Sequence, residues 1–569
     1  MPELRSGERH VTMRQALNVL ALGAGCAVTP AALSAQVAQS PLDGALAVPT
    51  EVMLRAHLRF LSDDLLSGRA PGTAGADVAA AYLAAQFELM GLEPAAPNGS
   101  FFQPVEMLGI TSDPSLVVGV RRTTTALRYL EDFVAWPEQS SLSTTVDGDL
   151  VFVGYGVRAP GWGWDDYKGT SLRGKILLVL MNDPGLTDST RFDGEALTYY
   201  GGWKYKLEQA AREGAVGVII IHSDAGAMLP WSAVRSTWSG EQVRPDRQTM
   251  ETLRFGAWIT EEAARDLVAA TGRDFDLLLR RAQMSEFRPI PLDAHAVLHL
   301  RSSVRRIESS NVIARLPGRD SLRAREAVIL SANYDHLGVR HPVDGDSVYN
   351  GALDNASGLS ALLAVAAAFS RAAAHPDRSV VFLATTAGES GFLGAEAYVA
   401  DPAVPLERTA AVINVNRLNL LGATRDVVAL GAERSALEAY FQSAALAQAL
   451  EPTTDPNPAA GRFYQSDHLV FARAGVPVLS LVSGSSFLGR EQRWGLNEEL
   501  AYLAERFHQP GDEFSESFDY TGALQQVRLL IRLTWDLAGT NDFPSWNRDS
   551  EYRPAGEQLR LRRLRSPTR

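Results

Sequence analysis

Most of the chain's capacity for chemistry lies in five short stretches. They hold Asn333, Asp335 and His336 in SANYDHLG, Asp354 and Asn355 in GALDNASG, Glu389 in AGESG, Asp467 and His468 in YQSDHLVF, and His508 in FHQPGDEF. Carboxylates and imidazoles can move protons or hold a divalent cation such as zinc. Cys26 is the only cysteine, so a zinc here rests on His and carboxylate donors, not thiolates. Asp335 follows the apolar run AVILSA, Glu389 follows SVVFLATT and Asn416 closes AAVINV. Ligands of open α/β sheets bind at the carboxyl ends of strands, so three such ends on one edge make a candidate metal site.

The elements that position these residues alternate. AVILSA, SVVFLATT, AAVINV and VPVLSLV read as strands; helices are expected from Gly358 to Ser370, after Gly394, and from Ala436 to Ala449. That order predicts an α/β fold with a mixed, mainly parallel central sheet flanked by helices. Apolar spacing predicts two more helices between about 50 and 95, split by SGRAPGTAG. From 140 to 290 the character shifts to short strands, LVFVGYGV, GKILLVLMNDPG and GVIIIHSD, with an alanine-rich helix before the last. His222, ending that strand, reads as structural.

The motifs together resemble the co-catalytic zinc aminopeptidase family, which also holds glutamate carboxypeptidase, glutaminyl cyclase and the transferrin receptor. The resemblance covers nearly the whole mature chain. VGYG, the Trp164–Tyr167 turn, NDPG and EQAAREGAVGVIIIH resemble a protease-associated domain, inserted beside the substrate cleft. The implied division is a signal peptide over 1–35, a peptidase domain over 45–135 and 295–545, the insert over 140–290, and a solvated tail over 546–569.

The resemblance implies that one metal site is intact, with Asp354, Glu389 and His508 as ligands, and that the other is stripped. Asn333 stands where the family has a histidine and Asn416 where it has an aspartate. Gly388 replaces the glutamate that takes a proton from water; such assistance is worth about 10²- to 10⁴-fold. Losing two acidic positions leaves charge enough for one zinc ion at most. Asp335 loses the histidine it would orient and is left as the candidate catalytic base. His336 is not read as a replacement ligand, and Asp467 and His468 are read as polar groups of the cleft. Asp354 also fits the plainer role of a helix N-cap.

The net charge of −12, with no basic segment before the tail RLRRLRSPTR, argues against a nucleic-acid partner. The apolar run ALNVLALGAGCAV followed by LSAQ reads as an export signal cut near Ser34 or Ala35, giving a periplasmic or secreted protein without a stable membrane span. GAGC resembles a lipidation site, but Gly23 stands where leucine is usual. Two functions are expected from these features. One is a weak single-zinc peptidase acting on peptides or small proteins. The other is an inactive pseudopeptidase that binds or scaffolds a partner. Nothing in the sequence sets the oligomeric state.

Overall fold

The computed structural model describes residues 40–246 and 253–565; the expected signal segment lies outside them. One sheet of sixteen strands runs through the described residues. At its α/β end, Ala327–Asn333 lies between Ser379–Thr385 and Thr409–Val415 and is parallel to both. Val478–Ser483 follows in parallel, and Asp426–Leu430 returns antiparallel beside it. The three central strands therefore end on one edge, where Asn333, Thr385 and Val415 deliver the loops that carry Asp335, Glu389 and Asn416.

The predicted helix Gly358–Ser370 has those bounds and is buried from Gly358 to Phe369. The longer stretch Ala352–Ser370 is apolar enough to cross a membrane, but 94% of it is buried within the protein as the core helix. Its first turn approaches the sheet closely: a Cβ on Gly358 would stand 2.1 Å from Asn355 Oδ1 and 2.6 Å from Val415 O. Helices Glu51–Leu61 and Ala74–Leu89, N-capped by Thr50 and Thr73, pack against it.

The other end of the sheet is built from Ser143–Phe152, Ile176–Leu180, Gly217–His222 and Phe255–Thr260, all parallel. The runs ILLVL and GVIIIH are buried at every residue, which requires cover on both faces; two separate apolar clusters supply it. Phe133–Pro137 closes this edge antiparallel to Phe255–Thr260. Two long strands join the halves. Phe102–Val120 and Ile290–Leu316 pair antiparallel from Phe102↔Val312 to Val120↔Ala294. Ile290–Leu316 also pairs with Ser143–Phe152 at one end and with Ser379–Thr385 at the other. The breaks expected near 140 and 290–295 thus fall beside or within strands of one continuous sheet.

The C-terminal segment differs from the expected solvated tail. Arg553–Arg565 is a helix, and Trp546, Tyr552 and Leu559 are buried in one cluster. Trp546 Nε1 donates to Gly475 O at 3.0 Å, and Arg563 lies 3.6 Å over the ring of Phe543. The arginines dominate the sequence pattern, yet Arg563 covers aromatic surface while three apolar side chains anchor the segment.

Candidate metal centre

Asp354 sits in the kinked segment Ala352–Ser357 before the core helix. Its backbone is held by Asp512, whose two carboxylate oxygens accept the N–H groups of Leu353 and Asp354 at 3.0 Å each. Glu389 lies in the loop after Ser379–Thr385. His508 follows helix Trp494–Glu505 with φ of +56°, a region a histidine occupies only when its surroundings hold it there. Phe507 stacks on its ring at 3.9 Å.

These three side chains converge. His508 Nε2 lies 3.4 Å from Asp354 Oδ2 and 3.3 Å from Glu389 Oε2, and this buried nitrogen makes no well-aligned hydrogen bond. Tetrahedral ligands about 2.0–2.2 Å from a zinc-sized cation stand roughly 3.3–3.6 Å apart, so the spacing fits such an ion. The ring's other nitrogen is fixed. Thr237 Oγ1 donates to Ala233 O at 2.7 Å, so at its 2.6 Å contact with His508 Nδ1 it accepts the Nδ1–H. Nε2 is then the nitrogen that faces the carboxylates, as a lone pair or as a second N–H.

His336 brings a fourth donor. A ring nitrogen of His336 and carboxylate oxygens of Asp354 and Glu389 lie within 4.8 Å of one another. Both His336 ring nitrogens lack a hydrogen-bond partner. Burial, aided by the nearby His508, Arg69 and Arg340, holds His336 well below the usual histidine range and therefore neutral. His508 behaves oppositely: burial would lower it, but the adjacent carboxylates of Asp354 and Glu389 raise it to about 9. Burial would raise Asp354, yet the His508 bond and charge keep it below the usual carboxylate range. Without a metal, a protonated Nε2 stands as a cation between the two carboxylates.

The substituted positions are integrated into hydrogen-bond chains. Asn355 Nδ2 donates to Val415 O at 3.1 Å and to Asn333 Oδ1 at 2.9 Å, and Asn333 Nδ2 donates to Glu389 Oε1 at 3.2 Å. Asn333 is thus placed to steady Glu389 by a bond behind the cation position. Asn416 Oδ1 accepts from Asn414 at 2.8 Å and from Ser466 at 3.1 Å. Asp335 is fully buried, accepts the Gly388 N–H at 3.0 Å, and is absent from the cleft lining. Burial, with Glu389 nearby, pushes its carboxyl well above the usual range.

Asn333, Asp354, Gly388, Glu389, Asn416, Asp467 and His508 line one cleft of about 340 Å³, walled on the far side by residues of the 140–290 segment such as Trp203 and Trp238. Asp467 accepts from Thr385 Oγ1 at 2.5 Å, and burial raises its carboxyl to about 7. His468 is buried against Phe463 and held by burial at about 3, hence neutral. Arg69, fully buried, donates to carbonyls of Leu61, Tyr334, Asn350 and Gly351 and is a permanent cation behind the acids. Sequence reading did not single out Arg69, Asp512 or Thr237, and it set His336 aside. Asp512 lay within a quoted motif, while Thr237 lies in WSAVRSTW, where nothing signals a role. His222 bonds Leu229 O at 2.9 Å and is structural as read.

Carboxylates and imidazoles gather where parallel strands end, under a second sheet segment, in an α/β protein whose cleft carries donors that could hold a metal ion. Residues 311–534 match the model of Peptidase family M28. Leupeptin-inactivating enzyme 1 of Streptomyces exfoliatus is 30% identical over 192 residues, 32% of this chain and 39% of that enzyme. The match thus spans well under half of that relative. An aminopeptidase from Aneurinibacillus sp. strain AM-1 has the same fold, with TM-score 0.53 at 19% identity over 87% of this chain and 96% of that one.

Proposed function

We propose that this is an exported zinc-binding protein of peptidase fold that holds one zinc ion through Asp354, Glu389 and His508 and hydrolyses peptides weakly at most. The observation that carries this reading is Gly388. Its place in the cleft has no acid, and the space where a side chain would start is filled by Asn333. Zinc at this site would polarise the carbonyl of a bound peptide. Asp354 and Glu389 offset its charge, and His508 presents Nε2 to it. Asp335 is sealed from the cleft, so proton transfer falls to a group that lines it, and Asp467 is the acid there that titrates near neutrality.

The alternative, an inactive pseudopeptidase that binds peptide or protein, draws support from His336. A metal held by four protein donors is the closed, structural pattern, whereas three donors leave the open position that catalysis uses. Zinc content per chain, measured with hydrolysis of an aminoacyl-anilide panel, separates the two. One zinc with wild-type turnover abolished by Glu389→Ala establishes the weak peptidase. Bound zinc without turnover, or no zinc, leaves the binding module. Sequencing the N-terminus of protein recovered outside the cytoplasm tests export; an intact Met1 there would count against the signal peptide.

A further inference from the structure

The strands from 140 to 290 read as a module beside the cleft, yet one of their helices touches a proposed metal ligand. Helix Trp231–Trp238 presents Thr237 to His508 Nδ1 at 2.6 Å, with the hydroxyl proton spent on Ala233 O. A histidine ligand needs its second nitrogen fixed so that the first points at the metal, and the partner that fixes it tunes affinity.

The helix is in turn fixed from the peptidase side. Arg340, three residues past Leu337 of SANYDHLG, donates through Nη1 to the carbonyls of Ser236 at 2.9 Å and Thr237 at 3.0 Å, and also to that of Ser239. Its Nε donates to Leu337 O at 2.9 Å. A cation at a helix C-terminus satisfies carbonyls left without partners and complements the helix dipole. Next to His508, Gln509 Nε2 donates to Ser236 Oγ at 3.2 Å, so His508 and its neighbour are both tied to one helix turn.

We propose that Thr237 is a positioning residue of the metal centre, held in place by Arg340, and that the 140–290 segment thereby sets zinc affinity in the peptidase domain. This rests on the reading of His508 as a zinc ligand. Thr237 fixes the orientation and proton position of the ring and does not contact the reacting atoms.

The test uses the full chain and zinc alone, in competition with a chromogenic chelator, alongside NMR of ¹⁵N-histidine-labelled protein in which His508→Gln assigns the His508 signal. Thr237→Val is expected to weaken zinc binding about 10- to 100-fold and to abolish the protected Nδ1–H signal. Thr237→Ala should match it, without valine's added bulk, and Thr237→Ser should restore both readouts to within about threefold. Zinc binding and an Nδ1–H signal unchanged in Thr237→Val and Thr237→Ala would overturn the proposal. If the wild type binds no zinc, the metal reading fails and the influence on affinity fails with it. The NMR signal then still decides whether Thr237 orients the ring: its loss in Thr237→Ala and return in Thr237→Ser uphold the contact, and its persistence overturns it.

Discussion

A Cβ built on Gly388 would stand 2.7 Å from the Cβ of Asn333 and 3.0 Å from its Cγ. The two substitutions are therefore sterically linked. Asn333 occupies the space that a side chain at 388 needs, while its amide is bonded to Glu389 and Asn355. Glycine at 388 is what this packing accepts.

Reversal should accordingly depend on order. Gly388→Glu alone is expected to lower the melting temperature, since overpacking a buried contact costs about 1–3 kcal/mol, and to leave anilide hydrolysis at the wild-type level. Asn333→His/Gly388→Glu/Asn416→Asp, which rebuilds the pattern together, should raise turnover at least tenfold. Activity from the single change equal to that of the triple would show that Asn333 moves aside freely.

His508 gives a pH signature. Its folded-state value, about 9, exceeds the ordinary value near 6.5. The stability it confers on the metal-free chain is thus complete below about pH 6.5 and disappears as pH rises through about 9. The difference in unfolding free energy between wild type and His508→Gln should shrink across that window by on the order of 3 kcal/mol. Taking the difference removes Lys206, which burial lowers to about 7 and whose contribution rises with pH in the same range. A constant difference from pH 6 to 9 would refute the ion pair.

The same proton competes with zinc for Nε2. Apparent zinc affinity should climb about tenfold per pH unit between roughly pH 6.5 and 9 and then level off. Calorimetry in buffers of different ionisation enthalpy should register one proton released per zinc at pH 7.5; no release would mean that Nε2 is not a ligand.

Asp335 supplies a negative test. It is fully buried, and its bond to Gly388 N–H needs one oxygen, which asparagine also offers. Asp335→Asn should leave any residual hydrolysis within about threefold, far from the 10²-fold or more expected on losing a general base. A loss of that size would return Asp335 to the role its motif suggests.

The C-terminal helix offers a stability test. Trp546, Tyr552 and Leu559 are buried, and fully burying such a side chain is worth about 1.5–3 kcal/mol. Truncation after residue 545 should therefore destabilise the protein by roughly 4 kcal/mol or more in denaturant titration. An unchanged midpoint would restore the solvated tail.

The α/β half was largely legible because its signals are local. AVILSA and SVVFLATT are apolar runs of strand length between turn residues, and the core helix was placed from Gly358 to Ser370 as found. The site residues were named because each lies in a short motif, with Asp335, Glu389 and Asn416 just past strand ends. The metal centre's setting was less legible because it is assembled across the chain. Thr237 meets His508 from 271 positions away, and Arg69 reaches Asn350 and Gly351 from 281 and 282 away. Short hydroxyl and guanidinium contacts of this range leave no periodicity to read. The long strands were missed for another reason: IPLDAHAVLHLRSSVRRIESSNVIARL alternates with charged residues on its open face, so no single apolar run announces it.

The pairing of Phe102–Val120, 19 residues long, with Ile290–Leu316 gives the cleft a fixed gauge. A flexible linker would let the far wall swing and clasp whatever entered. A hydrogen-bonded ribbon running without a break into the central sheet acts as a rigid bracket, with the opening width built in as the chain folds. Under the proposed function, a guest wider than that opening would be turned away before it reached the acids and imidazoles of the cleft.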